Sequence, residues 1–396
     1  MLWVSAFGES PVLEEAVEYA AGRVRVELAG KSIDLVLAFL SRDFHDRYAE
    51  FPEMLQMALP HHVLIGCSAR EVIGDGREGL GAPGLSLTAA HIPGSILTAT
   101  ALHSSDLPDM DAPRTAWQKL LDVPPEPVPS FLVFADPFTF HPGNILSGLD
   151  YAYPSSPKLG GLAGGARKMG GNALFLGNET RSDGIVLLAM AGNVEMRAEV
   201  VQGCRPVGDP MRVTRCDGGL LIELDGRSPL ETIPRLLGSL PDRNRKAGVR
   251  DLMVGVQQDS LLEEAGAGSY LIRALMGQDP ETGAMLVGET LRPGQMIRFH
   301  LRDKRTARVG LAKRLARIAS EDRASRNRCV LLFPDEARGE GLYGEPETET
   351  RLVREHLGDL PLGGFYCGGA LGPVAGATHL HGMASAFAVI RPKKTK

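Results

Sequence analysis

Residues 157–166 read PKLGGLAGGA, and two other stretches answer them: HHVLIGCSA at 61–69 and PLGGFYCGGALG at 361–372. Each is a short apolar run closing on a glycine- and alanine-rich turn. Upstream of each lies a second apolar run: DLVLAFLSRDF at 34–44, FLVFADPFTF at 131–140 and VLLFPDEARG at 330–339. These runs end near an acidic residue, taken as Asp43, Asp136 and Asp335. Downstream comes a glycine-led strand, starting at Gly84, Gly184 and Gly382. From the first run to the leading glycine of the turn the spacing is 31 (Leu35 to Gly66), 30 (Phe131 to Gly161) and 34 (Val330 to Gly364) positions. Similar spacing with different side chains predicts one β-α-β-β unit used three times. Such units bury their apolar faces on one another, so the seams between them are where a ligand is expected.

The fold class that follows is α+β: repeated β-α-β-β units forming mixed sheets packed in a sandwich, with helices outside. A helix is expected from Ser10 to Leu28, with Ser10 as cap and Glu14 and Glu15 near its positive end. The proline run DVPPEPVPS at 122–130 reads as a connector. A break at Gly203 and at Pro206 to Pro210 sets a domain boundary, giving 1–205 with two units and 206–396 with the third. Between 270 and 303 the turns DPETG and RPG punctuate apolar alternation, as in antiparallel hairpins.

Composition narrows the function classes. The chain has 396 residues, 43% hydrophobic and 23% charged, as in globular proteins. A net charge of −5 gives no global attraction to nucleic acid or anionic membrane. The basic stretch from Lys304 to Arg328 lacks aromatics and is interrupted by Glu321 and Asp322, so it reads as a solvated helix face. Five scattered cysteines without a CxxC pair point to reduced thiols and a cytoplasmic setting. The start, MLWVSAFGES, lacks the basic and apolar runs of a signal peptide, and no segment has the length of a membrane span.

With the units laid out, the chain resembles the FIST family, a two-part sensory module. The N-part resemblance rests on GCSAREVIGDGREGLGAPGLSLTAAHIPG (66–94), FADPFTF (134–140), YPSSPKLGGLAGGARKMGGNALFL (153–176) and VVQGCRPVGDP (200–210). The C-part rests on the stretch from Tyr270 to Arg308 and on FYCGGALGPVAGATHLHGMASAFAV (365–389). The resemblance implies a small-ligand sensor, with an amino-acid-like or anionic ligand, whose occupancy a separate signalling protein reads. Members often carry Cys-Asn-Gly-Arg-Gly where this chain has Asp335, Glu336, Ala337, Arg338 and Gly339, so the arginine is kept and the thiol is not.

The expected ligand contacts are the glycine turns and nearby arginines. They comprise Gly66, Cys67 and Ser68, then Gly161, Gly164 and Gly165, then Gly339, Gly368 and Gly369, with Arg302 and above all Arg338 as anion grips. Asp303 is placed to cap the following helix. No P-loop pattern occurs, and no cofactor is read. His379 and His381 would share one strand face, but a third metal ligand is missing from the pattern, and no metal is assigned. Two alternatives stay open. One is a cysteine-dependent hydrolase or acyl transferase using Cys67 or Cys367 with His381 or His62. The other is a protein–protein scaffold.

Overall fold

The computed structural model of the chain describes residues 1–140, 142–240, 251–258, 270–321 and 327–393. The first unit runs β1 (Leu2–Glu9), α1 (Leu13–Leu28), β2 (Leu35–Ser41), α2 (Phe51–Ala58), β3 (Val63–Ala69), the hairpin β4 (Glu71–Gly74) and β5 (Arg77–Gly79), then β6 (Gly84–His91). The second runs β7 (Ser95–Leu102), α3 (Arg114–Leu121), β8 (Ser130–Ala135), α4 (Pro142–Ala152), β9 (Lys158–Leu162), the hairpin β10 (Leu174–Leu176) and β11 (Glu179–Arg181), then β12 (Ile185–Gly192). Each unit thus adds an opening strand and helix and a two-stranded hairpin to the β-α-β-β expected. The opening strand β1 was not legible beforehand, and α1 starts at Leu13 instead of Ser10. Ser10 Oγ instead accepts the Val12 N–H at 3.1 Å, ahead of the helix.

The third unit begins with β13 (Val194–Gln202) and is then interrupted by β14 (Cys204–Asp217), β15 (Leu220–Leu224), α5 (Pro229–Ser239), β16 (Leu252–Gln257), β17 (Tyr270–Gln278), β18 (Met285–Val287) and β19 (Met296–Arg302). It resumes with α6 (Lys304–Glu321), β20 (Cys329–Pro334), α7 (Gly339–Tyr343), α8 (Thr348–Leu357), β21 (Leu362–Tyr366), the hairpin β22 (Ala370–Val374) and β23 (Ala377–His381), and β24 (Ala384–Pro392). The interrupting strands close into a barrel of order β14-β15-β18-β17-β16-β19. Its interior is filled by residues such as Val213, Leu221, Val254 and Phe299. The hairpins expected from the turn signals are the walls of this barrel, and residues 205 and 206 lie inside its first strand.

The remaining strands form three mixed sheets of one design: β1-β6-β2-β3-β10-β11, β7-β12-β8-β9-β22-β23 and β13-β24-β20-β21-β4-β5. In each, the central pair is parallel (β2 with β3, β8 with β9, β20 with β21) and the other pairings are antiparallel. The central strands β2, β8 and β20 are buried at every position, as expected for strands covered on both faces. Each sheet is completed by another unit's hairpin. The second unit's β10–β11 joins the first sheet, the third unit's β22–β23 joins the second, and the first unit's β4–β5 joins the third. The expected sandwich therefore takes a three-walled form around one shared core, with helices outside.

Register identifies equivalent positions. Ala38 pairs with Gly66, Val133 with Gly160 and Leu332 with Gly364. A Cβ on those glycines would lie 1.7, 1.8 and 1.9 Å from the partner carbonyl oxygen, so only glycine fits. The leading glycine of the second unit is therefore Gly160, not Gly161. At the ends of the first strands the equivalent residues are Ser41, Asp136 and Asp335, so Ser41 stands where Asp43 was expected. Ser41 Oγ accepts the Gly84 N–H at 3.0 Å, while exposed Asp43 accepts from Ser41 Oγ. One residue past each carbonyl stand Phe39, Phe134 and Phe333, whose ring centroids lie 5.3, 5.8 and 5.7 Å apart, edge to face. Aromatic rings favour this arrangement, and here it plugs the centre where the three walls meet.

Candidate functional site

The barrel leaves and re-enters the third unit through two adjacent crossings, Gln202–Cys204 and Arg302–Lys304. Beside them opens a cleft of about 910 Å³. Its walls are β13 (Ala198 to Gln202), one face of α6, the β22–β23 turn (Pro373 to Ala375), and Pro206, Tyr270 and His300 of the barrel.

Helix α6 shows why the sequence folds this way. Ala307, Leu311, Leu315 and Ile318 recur at helical spacing and are buried. Offset from them, Arg305, Thr306, Val309, Gly310, Lys313 and Arg314 form the stripe that lines the cleft. Asp303 caps the helix as expected, with its carboxylate accepting the Thr306 N–H at 2.6 Å. The interaction with that donor and with Arg205, 3.7 Å away, holds the Asp303 carboxyl below its usual range despite the opposing effect of burial.

Two carboxylates face the cleft and both are occupied. Glu199 receives Arg314 at 3.0 Å, Arg317 at 2.5 Å and Arg197 at 3.2 Å. Asp303 is shared between the helix cap and Arg205. Among the described residues, Arg305 and Lys313 have no carboxylate partner. His300, only 4% exposed, sets its Nδ1 2.9 Å from the Arg298 carbonyl and packs its ring against Tyr270. A carbonyl only accepts, so Nδ1 carries the hydrogen and neutral Nε2 keeps its lone pair. No described group hydrogen-bonds Nε2. Burial pulls the imidazole pKa down to about 4, so it stays neutral near pH 7.

The residues singled out from the sequence lie elsewhere. Arg338 is a strut with no grip to offer a ligand. It is 2% exposed; its Nε pairs with Glu349 at 2.5 Å, and its other nitrogens donate to Tyr343 Oη and to the carbonyls of Val201 and Met383. Arg302 donates to the Ala337 carbonyl at 2.6 Å, locking the second crossing to the loop before α7. Gly339, at φ 56°, abuts the Tyr366 ring.

Gly66, Cys67 and Ser68 do meet Gly164 and Gly165, but as packing: Ser68 Oγ donates to the Gly164 carbonyl and accepts the Ala173 N–H. Gly161 presses on Cys367, where a Cβ would come within 2.7 Å, and Gly369 presses on Leu380. Gly368 is exposed on the turn into β22. None of these glycines lines the cleft.

The thiol chemistry fails on geometry. Cys67 and Cys367 are fully buried in the shared core, and burial pushes both thiols well above their ordinary range. Cys367 Sγ donates to the Pro334 carbonyl at 3.3 Å. His381 donates Nε2–H to the Gly372 carbonyl, and His62 is exposed before β3. The rings of His379 and His381 are 6.1 Å apart, and no group of three or more potential metal ligands occurs among the described residues.

The sequence held one usable signal for the cleft. Arg305, Val309 and Lys313 fall at i, i+4 and i+8 on the face of α6 beside its buried stripe, in the stretch read as solvated helix. Arg323 and Arg326 of that stretch lie outside the described residues.

Three walls of one design with a barrel inserted into the third define a two-part module. Residues 34–227 match the FIST N domain and 229–373 the FIST C domain, and the chain belongs to the FIST family. FIST domains are sensory signal-transduction domains. An uncharacterised protein of Mycobacterium tuberculosis is 31% identical over 386 residues, covering 96% of this chain and 97% of its own length. One from Mycobacterium bovis is 30% identical over 387 residues, covering 96% of each. A solved cyanuric acid hydrolase from A. caulinodans aligns over 99% of both chains with 8% identity and a TM-score of 0.35, too loose a likeness to carry an argument. No helix among the described residues is long and apolar enough to cross a membrane.

Proposed function

We propose that this FIST protein senses a small ligand in the cleft beside the barrel crossings, without turning it over, and that a separate signalling protein reads the occupied state. In this reading the three walls are copies of one building block, and the barrel is the moving part added to the third. The observation that carries the proposal is the cleft's position. It spans barrel and body directly beside their two covalent connections, which are tied by the Asp303 N–H donating to the Gly203 carbonyl at 3.0 Å. A ligand touching both sides changes the balance between barrel orientations only by binding one of them better. The burial of the thiols supports sensing over turnover.

The test is a thermal-shift screen of central metabolites on the wild type and on Val309→Trp, which fills the cleft from an exposed helix position. At a hundredfold excess over Kd, a ligand stabilises its protein by about 2.7 kcal/mol. At least one compound is expected to raise the melting temperature of the wild type and not of the variant. Equal shifts in both proteins, or none in either, overturn the reading.

A further inference from the structure

We infer that the ligand of this cleft is an anion with an apolar body, a hydrogen-bond donor at its far end and no ammonium group. The inference rests on the cleft being the ligand site. Three sets of residues define it. Arg305 and Lys313, two turns apart on α6, are cations that no described carboxylate neutralises, and anions pair with such groups through charge-assisted hydrogen bonds. On the barrel side, the Nε2 of buried His300 has a lone pair and no described partner, so it calls for a donor from the ligand. Between them Val200, Val309, Pro373 and Val374 supply an apolar lining.

What the cleft lacks is as specific. An ammonium needs a carboxylate, and the two available are committed, Glu199 to three arginines and Asp303 to the α6 cap and Arg205. A zwitterion would set its ammonium beside four cationic side chains with no free counter-charge. The cleft therefore discriminates against free amino acids and in favour of carboxylates lacking the amine.

Indole-3-propionate and L-tryptophan test this directly. They share ring, chain and carboxylate, carry an indole N–H for His300, and differ by the α-ammonium. Titration calorimetry at low salt is expected to show indole-3-propionate binding, with tryptophan roughly tenfold or more weaker. Lys313→Gln and Arg305→Gln, both at exposed positions, are each expected to weaken indole-3-propionate by roughly tenfold. Tryptophan binding as tightly, no binding of indole-3-propionate, or indifference to both charge removals overturns the inferred class. Val309→Trp separates that failure from failure of the site. If it abolishes tryptophan binding, the cleft stands and only the ligand class falls; if it leaves every affinity unchanged, the cleft itself is not the site.

Discussion

The Arg338 Nη1 donates to the Met383 carbonyl at 3.2 Å, joining the loop after β20 to the turn before β24. The same nitrogen reaches the Val201 carbonyl just ahead of Gly203, so one buried guanidinium braces the root of the barrel. Glu349, fully buried on α8, supplies its counter-charge.

Removing that brace leaves Glu349 buried without its cation. Arg338→Met is expected to cost about 3–5 kcal/mol, the usual penalty for breaking a buried pair from one side. Arg338→Met combined with Glu349→Leu is expected to recover most of the loss. Urea denaturation of both variants checks it, and a double mutant no better than the single contradicts the strut.

Gly203 has no room for a side chain. A Cβ there would lie 2.8 Å from Arg338 Nη1 and 3.0 Å from the Met383 carbonyl oxygen. Gly203→Ala is therefore expected to destabilise by about 1–3 kcal/mol through overpacking. The readout is again the denaturation midpoint.

The aromatic plug holds the three walls to one another. Phe39→Ala is expected to cost about 3–5 kcal/mol, since the rings of Phe134 and Phe333 cannot both fill the vacancy. A loss under about 1 kcal/mol would mean that the walls are held mainly by the exchanged hairpins.

Acid acts through His300. Its folded pKa of about 4 lies below the ordinary histidine value of 6.5, so the unfolded chain binds the extra proton between those limits. Stability contributed by neutral His300 is complete above pH 6.5 and is lost as pH falls toward 4. His381, held down to about 3 by burial, adds a loss of the same sign. Relative to the wild type, His300→Gln is expected to flatten the decline of stability between pH 6.5 and 4. Parallel wild-type and variant curves would contradict the neutral, cleft-facing imidazole.

Much of the body was legible because its signals are local. Continuous apolar runs such as Leu35–Ser41 and Ser130–Ala135 mark buried parallel strands, and Gly66 and Gly364 mark the close approach of neighbouring backbones. The exchange of hairpins was not legible, because pairings such as Ile73 with Gly364 join segments nearly three hundred residues apart and leave no local pattern. For the same reason the Phe39–Phe134–Phe333 triangle went unread. Arg338 misled because its flanking glycine suggests an open loop, whereas its partners Tyr343 and Glu349 arrive with the following helices. The cleft draws on β13, α6, the barrel and the β22–β23 turn, and only the α6 stripe carried a readable period.

The most direct test is hydrogen–deuterium exchange of the full chain, with and without the low-molecular-mass fraction of a cell lysate. Ligand contact slows local opening, so protected amides locate the site. The account predicts joint protection of residues 198–206, 303–314 and 373–375. Protection confined to the glycine turns around Ser68, Gly164 and Gly368, with these three segments unchanged, would contradict it.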